Sequence, residues 1–327
     1  MNIFRRSLLV SVSAAVATAA ITPAFASEFP SRPIKIIVAF TAGTGSDLLA
    51  RNIVPELSKQ LGTSVIVENR AGAGGMIGTE AGARAPADGY TLTVASSGAM
   101  LITPTMNPTT TTYRYERDFV AVGGLARSAF VVVTAETSEA PKTFQELAAR
   151  AKSAGTVNFG SPGVGTATHL AGEIILRNAG IKGTNVSYRG SAQALNDVAS
   201  GQVLFGFDTT GATLPLVKGN KLRALAVSSA NRAASLPDTP TLSEAGLKDF
   251  SLVGWWGLFA PKATPPDVVA KVSDALVKVL NDPEVKKRLA AQEVEPFPIA
   301  ASDFAALVSK EEPIWSNMVI EANLVQK

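Results

Sequence analysis

The sequence contains no cysteine and a single histidine, His169. Without cysteine, disulfide bonds, thiolate metal sites and cysteine nucleophiles are excluded. A histidine-based metal site or a Ser-His-Asp triad would have to use His169. The sequence also lacks a Walker A lysine after a glycine-rich loop, an HExxH motif and a GxSxG motif. These absences argue against the common metal-dependent and nucleophilic enzymes, and no catalytic residue or metal ion is expected.

Two glycine-rich segments begin like a dinucleotide-binding fingerprint but lack its final glycine. The GTG at 43–45 has Leu48 at that position, and the GAG at 72–74 has Ile77. The formal net charge is only +3, and two of the positive charges are Arg5 and Arg6. No cluster of lysine and arginine with interleaved aromatic residues is present. We therefore expect no cofactor and no nucleic-acid partner.

Residues 1–26 have the layout of a secretory signal peptide. Arg5 and Arg6 form a basic region, residues 7–21 are small or apolar without charge, and AFA at 24–26 resembles a signal peptidase site. A membrane anchor is the weaker alternative, because the apolar run is short for a span of about 20 residues. Cleavage after Ala26 would deliver the chain to the periplasm. The arginine pair leaves a twin-arginine route open beside general secretion.

Short apolar runs of strand length alternate with helical stretches, which predicts an α/β fold with mainly parallel sheets. The length and the hydrophobic content of 46% are typical of about two domains with large cores. Trp255 and Trp256 are expected to pack in the core or at a hinge. Strands are predicted over 34–40, 64–68, 90–95, 130–134, 156–159, 185–188, 203–207 and 222–228.

Helix signals are clear at several places. Ser46 is a predicted N-cap, and Gly62 is predicted to end the helix that follows it. Thr143 and Glu146 form a capping-box pattern. Amphipathic helices are predicted over 266–280 and 302–318.

A recurring turn is the main functional signal. A strand runs into glycine, serine and threonine and then into a helix at 40–47, 159–169 and 188–194, with a looser case at 95–99. Backbone N–H groups at a helix N-terminus have no partner inside the helix and carry partial positive charge, worth about 0.3–1 kcal/mol to a nearby anion when exposed. One such turn usually only closes the backbone. Several turns around one cleft would bind a carboxylate, and micromolar affinity needs about −8 kcal/mol.

Four titratable or charged side chains are candidates for the site. Asp47, in the first turn of a helix, either meets a ligand or complements the helix dipole. Asp208 follows the predicted strand 203–207, and ligands bind at the carboxyl ends of strands in open α/β folds. His169 is either a hydrogen-bond donor to a ligand or a packing residue. Arg189 either contacts the ligand or is solvated.

Short motifs spread over nearly the whole predicted mature chain are similar to those of a known protein family. They are FPSRPI at 29–34, VENRAGAGG at 67–75, DGYTL at 88–92, GVGT with HL at 163–170, YRGSA at 188–192, KLRALAV at 221–227, LPDTPT at 236–241 and GLFAP at 257–261. In this order they resemble the extracytoplasmic substrate-binding proteins of tripartite tricarboxylate transporters, also called the Bug family. The number and order of the motifs make the resemblance highly specific.

The resemblance implies a type II, Venus-flytrap periplasmic binding protein of α/β class, with each lobe a mainly parallel sheet flanked by helices. Residues 27–126 and 253–327 would form lobe 1, and residues 127–252 lobe 2. The chain would cross the hinge near 125–129 and 250–254. The resemblance further implies a protein without catalytic activity. It would capture a small organic carboxylate between the lobes and deliver it to the membrane subunits of the transporter.

The family's binding loops, with Arg189 added from the residues themselves, give a set of expected ligand contacts. In lobe 1 these are Phe40, Thr41, Ala42, Gly43, Thr44, Ser46, Asp47, Ser96, Ser97 and Gly98. In lobe 2 they are Ser161, Gly165, Thr166, His169, Arg189, Asp208 and Thr209. The first loop departs from the family's PFxxGG pattern, because Ala39 precedes the phenylalanine and Thr44 occupies the second glycine position.

The sequence leaves the ligand open. The cleft loops contain no obvious buried lysine or arginine, which disfavours a tricarboxylate. The sequence is also compatible with two other functions. The protein could present its ligand to a membrane sensor instead of a transporter, or it could be a secreted hydrolase or isomerase that uses Asp208 and His169.

Overall fold

The computed structural model describes residues 29–291 and 294–326. The predicted signal peptide, the membrane-anchor alternative and the first two residues of predicted lobe 1 lie outside these ranges. The strands are β1 (Ile34–Val38), β2 (Val65–Asn69), β3 (Thr91–Ser96), β4 (Phe119–Ala135), β5 (Val157–Ser161), β6 (Gly183–Ser187), β7 (Phe205–Thr209), β8 (Leu222–Val227), β9 (Val253–Pro261) and β10 (Glu295–Pro296). The helices are α1 (Gly45–Leu61), α2 (Met76–Ala83), α3 (Thr103–Met106), α4 (Tyr115–Asp118), α5 (Phe144–Ala154), α6 (Ala167–Asn178), α7 (Ser191–Ala199), α8 (Thr210–Lys218), α9 (Pro266–Asn281), α10 (Pro283–Ala291) and α11 (Ala301–Glu321).

The helix ends at Gly62 and Thr143 are confirmed, but the N-cap prediction for Ser46 is wrong. α1 begins at Gly45 after Thr44, which has the extended backbone of an N-cap, and Ser46 lies inside the first turn. Gly62 ends α1 in the left-handed conformation. At the start of α5, the Glu146 N–H donates to the Thr143 hydroxyl at 3.1 Å, and the Glu146 carboxylate accepts from the Lys142 N–H at 2.8 Å. These reciprocal bonds satisfy backbone donors that the helix itself cannot pair.

Two sheets share the long strand β4. The first has the order β2-β1-β3-β9-β4, and the second has the order β4-β7-β5-β6, with β8 on the other edge of β4. Residues 119–129 of β4 pair with β9, and residues 130–135 pair with β7 and β8. The chain therefore passes from one sheet to the other between Ala129 and Phe130.

The predicted α/β alternation is confirmed, but the sheets are mixed rather than mainly parallel. β1 is parallel to β2 and β3, and β5 is parallel to β6 and β7, as expected for strands joined by crossover helices. β4 and β9 are antiparallel to their neighbours. These two strands lie where the chain passes between the sheets, so no crossover helix fixes their direction.

Ser228 joins the two segments that cross between the sheets. Its N–H donates to the Phe130 carbonyl and its hydroxyl accepts from the Phe130 N–H, both at 2.8 Å. Its carbonyl accepts from the Leu252 N–H at 2.8 Å, and its hydroxyl donates to the Leu252 carbonyl at 2.6 Å. The lobe boundaries 126/127 and 252/253 remain a proposal, which these contacts support.

Each sheet has its own apolar core. Helices α1, α9 and α10 pack on the first sheet. Helices α5 and α6 cover one face of the second sheet, and α7 and α8 cover the other. A further cluster joins the two halves, because Leu170 and Ala171 of α6 pack with Phe304 and Val319 of α11. The helix starts and strand ends are thereby held around the space between the sheets.

Candidate functional site

A cleft of about 1500 Å³ lies between the two sheets. It is lined by the turns that the sequence singled out, so turns distant in sequence meet around one space. Carboxyl ends of strands are the usual ligand-binding edge of α/β sheets. The predicted site residues that line the cleft are Phe40, Thr41, Ala42, Gly43, Thr44, Ser46, Ser96, Ser97, Thr166, Arg189, Asp208 and Thr209.

The structure does not place all the expected ligand contacts on the wall of the cleft. Asp47, Gly98, Ser161, Gly165 and His169 are absent from its lining. Asp47, Ser161 and His169 are buried behind the lining residues. That the expected residues contact a ligand remains a prediction.

The N-terminus of α1 opens onto the cleft. The helix follows Thr44, whose hydroxyl donates to the Thr41 carbonyl at 2.8 Å and makes no capping hydrogen bond to the helix. The first N–H groups of a helix have no intrahelical partner. Gly45 and Ser46 line the cleft, so the positive end of this 17-residue helix, which has no side-chain cap, lies at the cleft wall. Thr44, which stands where the family pattern has glycine, does not cap this helix end.

Asp47 shapes the loop before α1. Its carboxylate accepts hydrogen bonds from the Gly43 N–H at 2.9 Å, from Arg51 Nε at 3.0 Å and from Asn69 Nδ2 at 2.9 Å. Burial acts to raise the pKa of Asp47, but these hydrogen bonds outweigh it and hold the pKa below its ordinary value. Asp47 is therefore ionised, its carboxylate oxygens are hydrogen-bonded to groups of the protein itself, and it positions the 41–47 loop.

A second open helix N-terminus comes from the other sheet. α7 follows Gly190 without a side-chain cap, and Ser191 and Gln193 line the cleft. By contrast, α6 and α8 are capped by threonine hydroxyls, Thr166 and Thr209. The sequence contained this signal in its 188–194 turn, although only Arg189 was chosen from it. Arg189 is exposed at the rim and has no ion pair within the described residues.

His169 holds a loop and does not face the cleft. It is 4% exposed. Its Nδ1 accepts from the Gly165 N–H at 3.4 Å, and its backbone N–H donates to the Thr166 hydroxyl at 3.2 Å. Nε2 lies 3.7 Å from Glu173 Oε1. These contacts fit the packing alternative for His169.

Asp208 is the charged side chain buried in the wall of the cleft. It lies at the end of β7 and is 2% exposed. Its Oδ1 accepts from the Thr209 N–H at 2.8 Å, and its Oδ2 has no hydrogen-bond partner within the described residues. Burial raises the pKa of Asp208 to about 6, while the Thr209 N–H and the hydroxyls of Ser191 and Thr209 act to lower it.

The two sides of the cleft touch at glycine positions. A Cβ on Gly98 would lie 2.9 Å from the Ala167 backbone nitrogen, and a Cβ on Gly74 would lie 2.9 Å from the Val164 carbonyl oxygen. Real Cβ atoms do not make contacts this short. Glycine therefore allows the segments after β2 and β3 to meet the glycine-rich turn after β5 at one edge of the cleft.

Several lining residues were not expected from the sequence. Trp256 lines the cleft and donates from Nε1 to the Ser46 hydroxyl at 2.9 Å, so it packs over the start of α1. Trp255 is buried as expected and donates to Glu311 Oε2 at 2.7 Å. Phe130, Tyr188 and the segment 71–76 also contribute to the wall. The glycine-rich sequence at 71–76 was visible, but nothing in it indicated that the loop faces the cleft.

Comparison with known proteins gives consistent matches. The family model described as "Tripartite tricarboxylate transporter family receptor" matches residues 49–324. Protein BugT of Bordetella pertussis is 32% identical, covering 98% of each chain. The structure of the periplasmic binding protein BugD superposes with a TM-score of 0.83 at 31% identity, covering 91% of this chain and 100% of BugD. MatC of Rhodopseudomonas palustris with bound malate gives 0.81 at 30% identity, covering 89% and 100%.

These likenesses confirm the predicted periplasmic-binding-protein fold. Within residues 29–291 and 294–326, no helix combines the length and the apolar character that crossing a bilayer requires.

Proposed function

The chain belongs to the tripartite tricarboxylate transporter receptor family, and we propose that it is an extracytoplasmic protein that captures a small carboxylate in its cleft and delivers it to a tripartite membrane transporter. Proteins of this family are solute-binding receptors rather than enzymes. We propose the periplasm as its location, to which the signal-like residues 1–26 would direct it. The membrane subunits of the transporter would be its partners.

The open N-terminus of α1 is the observation that carries this proposal. Its donors face a cleft whose charged lining residues are Arg189, Lys218 and Asp208. A ligand carboxylate at this helix end would accept hydrogen bonds from the backbone and gain from the helix dipole. The malate bound by MatC, a protein of the same fold, agrees with this class of ligand.

The proposal is tested by filling the helix end with a carboxylate from the protein itself. In Thr44→Asp the new side chain occupies the N-cap of α1, where aspartate stabilises helices by about 0.5–2 kcal/mol relative to an uncapped end. It also repels a ligand carboxylate about 4 Å away by about 4 kcal/mol at an effective dielectric constant near 20. We expect the variant to be folded and at least as stable as the wild type, with affinity more than about 100-fold weaker.

The measurement is isothermal calorimetry on residues 27–327 with a panel of mono-, di- and tricarboxylates. Thr143→Asp is the matched control, because Thr143 caps α5 outside the cleft lining, and its affinity should equal that of the wild type. Absence of binding across the panel, or full affinity in Thr44→Asp, would contradict the proposal. Loss of uptake of the identified acid in cells without this protein, restored by the wild type and not by Thr44→Asp, tests the delivery step.

A further inference from the structure

Asp208, in the wall of the cleft, has one carboxylate oxygen without a hydrogen-bond partner among the described residues. Oδ1 is engaged by the Thr209 N–H, whereas Oδ2 is buried and unpaired within the described residues. Leaving a buried charged oxygen without a partner is unfavourable, so folded proteins generally pair such groups. With a pKa of about 6, Asp208 is mainly ionised at pH 7.5 and can only accept hydrogen bonds there.

The opposite side of the cleft offers the complementary chemistry. The start of α1 presents backbone N–H donors, and Ser97 lines the cleft with a buried hydroxyl that has no hydrogen-bond partner among the described residues. Such donors suit a carboxylate. The Asp208 side suits a group that donates a hydrogen bond, because a second carboxylate there would face a buried negative charge.

Side-chain geometry allows this contact. Asp208 already lines the cleft, and the χ2 torsion of aspartate has a broad, shallow preference. A donor group of a ligand that reaches this wall can therefore approach the Asp208 carboxylate. Ser191, at the open start of α7, lies beside the same carboxylate.

We propose that Asp208 selects carboxylic acids that also carry a hydroxyl or ammonium group, whose hydrogen the Asp208 carboxylate accepts while α1 holds the ligand's carboxylate. The inference rests on the proposed function and narrows its ligand class. Hydroxyl and ammonium groups share the required donor, and an ammonium group adds charge attraction to Asp208.

The first experiment uses the wild-type chain alone and compares acids that differ by one group. Calorimetry at pH 7.5 measures succinate against malate and aspartate, adipate against 2-hydroxyadipate and 2-aminoadipate, and benzoate against 4-hydroxybenzoate and 4-aminobenzoate. In at least one series the donor-bearing acid should bind at least 10-fold more tightly than the plain acid. The hydroxyl and amino members of each series separate the two kinds of donor.

The second experiment changes Asp208 itself. In Asp208→Asn the carbonyl oxygen can still accept from the Thr209 N–H, but the unpaired oxygen becomes an amide that donates. The preference for the donor-bearing acid should fall at least 10-fold, because the plain acid gains affinity and the donor-bearing acid loses it. Asp238→Asn, the same change at an exposed residue outside the cleft lining, should leave the preference unchanged.

The outcomes separate this inference from the proposed function. Binding of plain acids as tightly as their donor-bearing counterparts in every series, or an unchanged preference in Asp208→Asn, overturns the role of Asp208 and leaves carboxylate capture intact. No binding of any acid overturns carboxylate capture and this inference with it. The wild-type comparison needs no variant, so a variant that fails to fold does not prevent a decision.

Discussion

Asp208 should reduce the stability of the ligand-free protein at neutral pH. Its pKa is about 6 in the folded chain against 3.8 for an ordinary aspartate, and one pKa unit corresponds to about 1.36 kcal/mol. Ionising the buried carboxyl therefore costs folding about 3 kcal/mol at pH 7.5. Asp208→Asn removes this cost and keeps an acceptor for the Thr209 N–H, so the variant should be more stable by about that amount.

The stability cost of Asp208 should depend on pH, in a direction set by its raised pKa. Because the folded pKa is raised, the folded chain holds more protons than the unfolded chain between about pH 4 and 6, and its stability falls as pH rises through that window. The advantage of Asp208→Asn should therefore shrink from about 3 kcal/mol at pH 7.5 to less than about 1 kcal/mol at pH 4. Urea unfolding followed by circular dichroism measures both values, in buffers free of carboxylic acids. A variant less stable than the wild type at pH 7.5, or a gain independent of pH, would refute the reasoning.

Three further changes test other parts of the site. Asp47→Ala should lower the unfolding free energy by about 1–3 kcal/mol, because Arg51 and the Gly43 N–H lose a buried acceptor. It should also weaken ligand binding. An unchanged midpoint of urea unfolding would contradict this prediction. Replacing both Trp255 and Trp256 by Phe should abolish the ligand-induced change in tryptophan fluorescence, because both line the cleft. Trp315→Phe should retain the change, since Trp315 is buried away from the cleft lining. A persistent signal in the double variant would disprove this assignment. Gly98→Ala should separate the two sides of the cleft, because the Cβ of the new alanine meets the Ala167 backbone. Small-angle scattering should then show a larger radius of gyration, and calorimetry should show weaker ligand binding. Unchanged scattering and affinity would show that the contact is dispensable.

Local signals in the sequence predicted much of the fold. Apolar runs gave the buried strands, and Gly62 and the Thr143–Glu146 pattern marked real helix ends. The first half of β4 was missed, because residues 119–129 contain glycine and small residues without clear alternation. That segment is a strand because β9, more than a hundred residues later, pairs along it, and local sequence carries no sign of so distant a partner.

The site was predicted at the level of its turns and less well at the level of side chains. Helix starts at 40–47 and 188–194 face one cleft, as expected from open N-termini. Asp47 and His169 also lie in first helical turns, but their side chains point into the protein and hold loops. A side chain near a helix start can face either way, and tertiary packing decides which. The position of Trp256 at the cleft also depends on tertiary packing, because its hydrogen bond to Ser46 joins distant parts of the chain.

A crystal structure with the tightest-binding acid of the calorimetric panel tests the central claim most directly. We expect a ligand carboxylate oxygen within about 2.7–3.2 Å of backbone nitrogens at the start of α1, between the two sheets. A ligand bound outside the cleft, or one whose carboxylate is turned away from residues 44–47, would contradict the account.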